Sequence, residues 1–300
     1  MIELAELYEA WWNFFFAPKP VHTVAVFRIL LSLILLIDTI FLWLDAKVLL
    51  GPKGLLQYEQ FYKRNRLVAF SLFLYLPPTM RSVYLVLTLH VIFLLMMLVG
   101  FLAPLCIVLV FITLTSIINR NPGLGNGGDV VARLMLFLLM FTPCSHALSM
   151  DEWLFYQPST PDGQHLFQAP WALRLMQIQL SAIYLKSVYW KLKGKTYLRG
   201  TAFYYSMRNN KYSRWQVPEF FVLGWPGKIM TWSILASEVF LGTGLWIQEL
   251  RYPAIISGFA LHLFIELTLN VHLFGWYMMA SLLLFVDPYA MMSFLERFII

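Results

Sequence analysis

Charge is what this sequence has least of. Asp, Glu, Lys and Arg make up 13% of its 300 residues, against about 25% in an ordinary globular domain. Hydrophobic residues make up 60%, where ~45–50% is usual, and the mean hydropathy is +0.68. One buried core has no use for that much apolar surface. At ~20 residues per span, lipid has to be the solvent for most of the chain. An ordinary soluble globular protein is excluded.

Cysteine is nearly absent too. Cys106 and Cys144 are the only two, both in apolar runs. That excludes a disulfide framework and gives no metal-ligand spacing, so both read as small core residues. No phosphate-binding loop is present: GLGNGG follows no strand and does not match the Walker spacing. There is no nucleophile elbow either. A net charge of +6 suggests nucleic acid only where a basic face clusters on a soluble fold. No nucleic-acid partner is expected; the lipid bilayer is. Glu3, Glu6 and Glu9 open the chain where a signal peptide would carry a basic leader, so no secretory signal is expected.

What is present is a series of apolar runs. They predict an all-α fold, a polytopic transmembrane helical bundle of seven or eight spans forming one domain over residues 1–300. The spans fall at about 21–44, 83–100, 103–118, 130–148, 172–190, 229–247, 253–270 and 273–286. Residues 4–17 mix glutamates with a block of aromatics, the pattern of an interfacial amphipathic helix, stopped by Pro18 and Pro20. Residues 289–300 form a second interfacial helix. Val68–Leu76 is too short to span before Pro77 and Pro78, so it reads as re-entrant or interfacial. The expected location is an integral, multi-pass position in a membrane. With the N-terminus outside, fifteen Lys and Arg face the cytoplasm, among them the eight from Lys191 to Lys228. Lys19, Arg251 and Arg297 then remain outside.

Ionisable residues at membrane depth cost ~2.5–3.5 kcal/mol each on insertion scales, so each needs a reason. The fifth span holds the richest set. At 100° per residue, Arg174, Gln177, Ser181, Tyr184, Val188 and Lys191 share one arc, with Gln179 and Lys186 nearly opposite. The stripe reads either as a polar packing seam with Lys191 snorkelling to the headgroups, or as a functional face ending at Lys191. In the seventh span His262, Glu266 and Asn270 stack at i, i+4 and i+8, the spacing of an ion pair or proton relay. A metal site would need more ligands, and none is expected. Glu238, mid-span, is protonated or paired with a cation such as Arg174, Arg28 or Lys186. Asp129 and Arg133 read as a helix-start ion pair, and His90 as a satisfied core histidine.

In chain order, Arg28, GGDVVAR at 127–133, Ser149 and Asp151, QLSAIYLKSVYWKLKGKTYLRGTAFYYSM at 179–207, and His262 form a pattern. It resembles the horizontally transferred transmembrane (HTTM) family, related to the vitamin K-dependent γ-glutamyl carboxylases. The likeness runs from about residue 20 to 288 and is strongest at Tyr184, Lys191, Leu192, Gly200 and Tyr205. It implies a carboxylase/epoxidase-like membrane enzyme, a lyase acting on a reduced, vitamin K-like quinone or a peptide side chain. Lys191 matches the lysine that deprotonates the quinol, and His262 matches a late-span histidine. Arg174, Tyr184, Glu238 and Glu266 would be supporting polar groups. Where the carboxylases carry an Asn-Asn-His step, this chain has Asn126-Gly127-Gly128. The carboxylases' extramembrane domain has no counterpart before Ile300, so a separate peptide or partner protein is expected in its place. Two other readings stand beside the enzyme: a non-catalytic membrane scaffold or maturation partner, and a proton-coupled transporter.

Overall fold

The computed structural model of the chain describes residues 4–65, 70–157, 159–160, 162–215 and 217–298. The protein is nearly all-α. Its principal helices are α1 (Leu4–Phe16), α2 (His22–Leu44), α3 (Met80–Val99), α4 (Ala103–Arg120), α5 (Gly127–Leu139), α6 (Trp171–Lys193), α7 (Gly224–Gly244), α8 (Gln248–Thr268), α9 (Phe274–Leu282) and α10 (Pro288–Phe298). Lys19–Pro20 and Phe167–Gln168 pair as two short antiparallel strands. Among the described residues, α2, α3, α4 and α8 are each long and apolar enough to cross a membrane. Phe274–Phe285 and Pro288–Phe298 qualify only together, as a broken span or a re-entrant loop. α6 and α7 have the length, 23 and 21 residues, but not the apolar composition. The chain divides into two compact units, Met1–Arg174 with Asp287–Ile300, and Leu175–Val286.

In the first unit, α2, α3 and α4 pack together, and the helix ends are fixed by specific caps. Thr79 Oγ1 accepts from Ser82 N (3.3 Å) at the start of α3. Gly100 ends α3 at φ +72 and donates to the carbonyls of Met96 and Met97, a turn that favours glycine. A second demand also falls on Gly100: a Cβ there would lie 1.9 Å from Arg28 Nη1. Arg28 is fully buried, and its Nη2 donates to the Leu148 carbonyl at 2.5 Å. The start of α4 is capped from a distance, because Asp151 accepts from Leu102 N (2.7 Å) and Ala103 N (2.8 Å). A carboxylate is favoured there by the unpaired amides. Ser149 accepts from Glu152 N at 2.9 Å. The Ser149–Asp151 step is thus a pair of backbone caps.

Asn126 and Asp129 form a capping box at the start of α5, with Asn126 Oδ1 accepting from Gly128 N (2.6 Å) and Asp129 Oδ2 from Asn126 N (2.8 Å). Asp129 sits at a helix start, as its spacing predicts. The expected span at 130–148 is not one helix. α5 stops at Leu139 after 13 residues, about 20 Å of rise against ~30 Å of hydrocarbon. Turns follow around Pro143, which has no N–H to continue a helix. In the segment expected to be re-entrant, residues 68–69 lie outside the described residues. Leu72–Leu74 forms a single 3-10 turn, and Ser71 Oγ donates to the Ser116 carbonyl at 2.9 Å. His90 is buried, with Nδ1 sharing a 2.7 Å bond with Thr113 and Nε2 without a hydrogen-bond partner: a core histidine, but satisfied on one ring nitrogen only.

In the second unit, α7 packs on α8 and α8 on α9. The basic stretch 194–223 is folded rather than loose, with short helices at Lys195–Leu198, Ala202–Arg208 and Glu219–Val222. Phe203, Met207 and Val222 form its buried core. Thr231 Oγ1 accepts from Phe203 N (3.1 Å) and lies 3.1 Å from the Gly200 carbonyl, fastening this stretch to α7. Asn270 N donates to Tyr212 O (2.6 Å) and Arg214 N to Thr268 O (2.9 Å), fastening it to the end of α8.

Candidate functional site

The polar stripe on α6 is where the helical period places it. Gln177, Ser181, Tyr184 and Val188 are all buried, and Lys186, on the far side, is exposed. Each buried polar member from Gln177 onward has a partner inside the second unit. Gln177 Nε2 donates to the Leu284 carbonyl at 2.7 Å. Trp246 Nε1 donates to Ser181 Oγ at 2.8 Å. Tyr184 Oη and His262 Nε2 share a 2.8 Å bond. Lys191 Nζ meets Glu238 Oε1 in a short ion pair. Ser187 Oγ, one turn before Lys191, donates to the same carboxylate at 3.2–3.3 Å.

These contacts come from register. α6 and α7 run antiparallel: Ser181 meets Trp246 just beyond the end of α7, Ser187 and Lys191 meet Glu238, and Tyr197 O accepts from Trp232 Nε1 (3.3 Å). Glu238 is therefore paired with a cation, and that cation is Lys191. Lys186 points to the opposite side of α6. Arg28 belongs to the first unit, on the Leu148 carbonyl. Arg174, also in the first unit, donates through Nε to Phe14 O (3.2 Å), its guanidinium 4.5 Å from the Phe14 ring centroid. Arg174 falls in the first unit, and Lys191 and Glu238 in the second.

His262 and Glu266 also part company. His262 faces Tyr184 and stands edge-on to Phe274 at 5.8 Å, and its Nδ1 is buried with no hydrogen-bond partner. Glu266 turns to Arg214 Nη2 (3.5 Å) and Gly275 N (3.2 Å). The i, i+4 spacing put them on one face, and elements outside α8 claimed each of them.

Lys191 and Glu238 are mostly but not wholly enclosed, with side chains 21% and 10% exposed. The Lys191 ammonium lies 5.3 Å from the Tyr197 ring. Burial, and then the charge of Glu238, push the Tyr197 phenol above its usual range, so it stays protonated there. Sequence reasoning missed Ser187, Trp246 and Tyr197. Only Ser187 carried a signal, since it stands four residues before Lys191. A cavity of about 170 Å3 opens along α7 and α8, lined by Ser233, Ser237, Ser257 and Phe264 among others. Ser237 precedes Glu238, yet the Lys191–Glu238 pair does not line this cavity. Among the described residues no cluster of three or more His, Cys, Asp or Glu side chains has a metal-binding arrangement.

No curated protein and no solved structure matches the chain. A family model for the HTTM domain matches residues 16–289, most of the chain, with the α6 stripe, Glu238 and His262 all inside the match. The chain belongs to the HTTM family and is an integral membrane protein.

Proposed function

We propose that the second unit carries a membrane-embedded acid–base site with Lys191 as its base, acting on a quinone-like lipophilic molecule or a peptide side chain. The Lys191–Glu238–Ser187 cluster at the end of a buried polar stripe supports this reading. An amine accepts a proton only when neutral. The Glu238 carboxylate, bonded to Lys191 Nζ, is placed to take its proton and leave the free amine a base needs, with no change in net charge. Lys191 then takes the substrate's proton, and Ser187 and Glu238 hold the resulting ammonium in place. His262, held by Tyr184 through Nε2 and unpartnered at Nδ1, would be the supporting polar group for such a head group. A reduced quinone would supply the acidic hydroxyl and the oxygen-linked chemistry that the carboxylase resemblance implies. The residue step that orients it in those enzymes is spent differently in this chain: Asn126 caps a helix, and Gly127 and Gly128 have no side chains.

The test is purified protein with reduced menaquinone or vitamin K, O2 and labelled CO2. Quinone epoxide should form with the wild-type chain, and Lys191→Ala should abolish it in a protein that still inserts and folds. Full activity in Lys191→Ala would sink the assignment. A second reading, a non-catalytic scaffold or maturation partner, is favoured by one observation: Gln177, Ser181 and Tyr184 are all satisfied internally, as in a packing seam. A proton-coupled transporter has less support, because the His262–Glu266 relay it needs is split.

The proposal includes the topology. α6 and α7 cross the bilayer with α2, α3, α4, α8 and the broken α9–α10 pair, giving seven crossings, or eight with α5 and the turns after it. α1, with Trp11 and Trp12 about half exposed, and the end of α10 lie at the interface. One multi-pass domain then accounts for a family match that runs through both units. A separate peptide or partner protein would bring the substrate side chain to the site.

A further inference from the structure

Three helix ends of the second unit lie at one end of it. α6 finishes at Lys193, α7 runs antiparallel to it and starts at Gly224, and the end of α8 is tied to residues 212–215. The short helices between α6 and α7 cover this end, since Gly200 abuts Lys228 and Thr231.

The charge of the unit is concentrated here. Of the ten Lys and Arg in residues 175–286, eight fall between Lys191 and Lys228. Three of the eight meet carboxylates: Lys191 with Glu238, Arg208 with Glu219 and Arg214 with Glu266. Lys193, Lys195, Arg199, Lys211 and Lys228 have no carboxylate within ion-pair distance among the described residues. Four of these five are exposed, and Lys228 is half-buried. Aromatic side chains are interleaved with them. Lys193 Nζ sits 4.3 Å from the Tyr189 ring and 5.1 Å from that of Trp190, Lys211 lies 5.6 Å from Tyr212, and Lys228 lies 5.4 Å from Trp225. Those four rings are between 46% and 70% exposed.

We propose that this end of the second unit is a binding surface for anionic phospholipid headgroups. Aromatic rings of this kind favour the membrane–water interface. Unpaired ammonium and guanidinium groups held beside them meet lipid phosphates at the same depth. An acidic peptide would match the charge but not the ring of exposed aromatics, which needs acyl chains beneath the headgroups. Each basic residue near an anionic surface strengthens attachment about fivefold at moderate salt. The surface is independent of the proposed base, because Lys191 is already taken by Glu238.

The test is tryptophan quenching of the detergent-solubilised full chain by brominated phosphatidylglycerol against brominated phosphatidylcholine. The wild-type protein should prefer the glycerol lipid, and 0.5 M salt should shrink the preference. Lys193→Gln/Lys195→Gln/Arg199→Gln should lower it by about 100-fold, with unchanged quenching by the choline lipid and an unchanged melting temperature. Arg251→Gln, away from this end, should leave it intact. Equal quenching by both lipids overturns the proposal. So does a triple variant that keeps the preference, or one in which a polyglutamate peptide abolishes it without lipid being displaced by salt. If the triple variant fails to fold, Lys211→Gln, on a separate segment, should still cost about fivefold, and no loss there also overturns it.

Discussion

Breaking the Lys191–Glu238 pair one partner at a time should cost more than removing both. For a fully buried pair, loss of one member costs ~3–5 kcal/mol, because the other charge is left out of water without a partner. For an exposed pair the figure is ~0–1 kcal/mol. Side chains 21% and 10% exposed place this pair between those limits, and Ser187 still offers Glu238 one hydroxyl. About 2 kcal/mol is then expected for Lys191→Met alone and for Glu238→Leu alone. The double variant replaces both charges by apolar side chains of similar size and leaves nothing stranded. Its cost should be only ~1 kcal/mol, a coupling of ~3 kcal/mol. Melting of the detergent-solubilised protein measures this, at ~2–4 °C per kcal/mol, compared at one fixed scan rate because such unfolding is commonly irreversible. Each single variant should melt ~4–8 °C lower, and the double variant no lower than either. A double variant that melts lower by the sum of the single losses would refute the pairing. The cycle also separates fold from chemistry: if Lys191 is the base, the double variant regains stability without regaining activity.

Two further outcomes follow from single atoms. Gly100→Ala should destabilise the first unit by about 3 kcal/mol, combining the left-handed backbone cost of ~1–2 kcal/mol with overpacking against a fixed guanidinium of ~1–3 kcal/mol. Gly100→Asn tolerates positive φ yet keeps the clash with Arg28, so a near-normal melting temperature for it would refute the steric half of that account. Tyr184→Phe leaves the second ring nitrogen of buried His262 unpartnered and should cost ~1–3 kcal/mol. Tyr184→Phe/His262→Leu should recover most of that loss, and a purely additive double variant would show that the 2.8 Å bond carries no energy.

The parts of this molecule that were legible in the sequence are those set within one helix. Period alone put Gln177, Ser181, Tyr184 and Val188 on a common face, and that face is buried; it also put Lys186 on the opposite side, and that side is exposed. Asp129 read as a helix-start residue because its role needs only the three residues before it. Pairing between helices was not legible. The partner of Glu238 depends on how far α7 is slid along α6, and one residue of slip on either helix changes the answer. Neither hydropathy nor charge counts encode that slide. The same gap explains His262 and Glu266, adjacent on α8 by spacing yet drawn to Tyr184 and Arg214 from elsewhere. It explains Arg28 as well, whose fitting partner is a missing side chain, the Cβ that Gly100 does not have.

The stretch 130–148 is not one helix for a different reason. Its composition suited lipid, but Pro143 stopped the helix, and composition has no term for where the backbone hydrogen bonds end. That difference bears on how the scarce charges should be understood. A buried charge whose partner is a backbone cap, like Asp151 on the amides of α4, is answered by the fold and needs no function. A buried charge whose partner is an opposite charge is answered at a desolvation cost that apolar residues would avoid. In the second unit, Lys191 and Glu238 incur that cost most deeply, and both remain partly open to an incoming group. A scaffold would lose little by replacing them with leucine and methionine. For this reason the double variant is the decisive protein: stable and active, it makes the pair a dispensable seam; stable and inactive, it makes the pair the site.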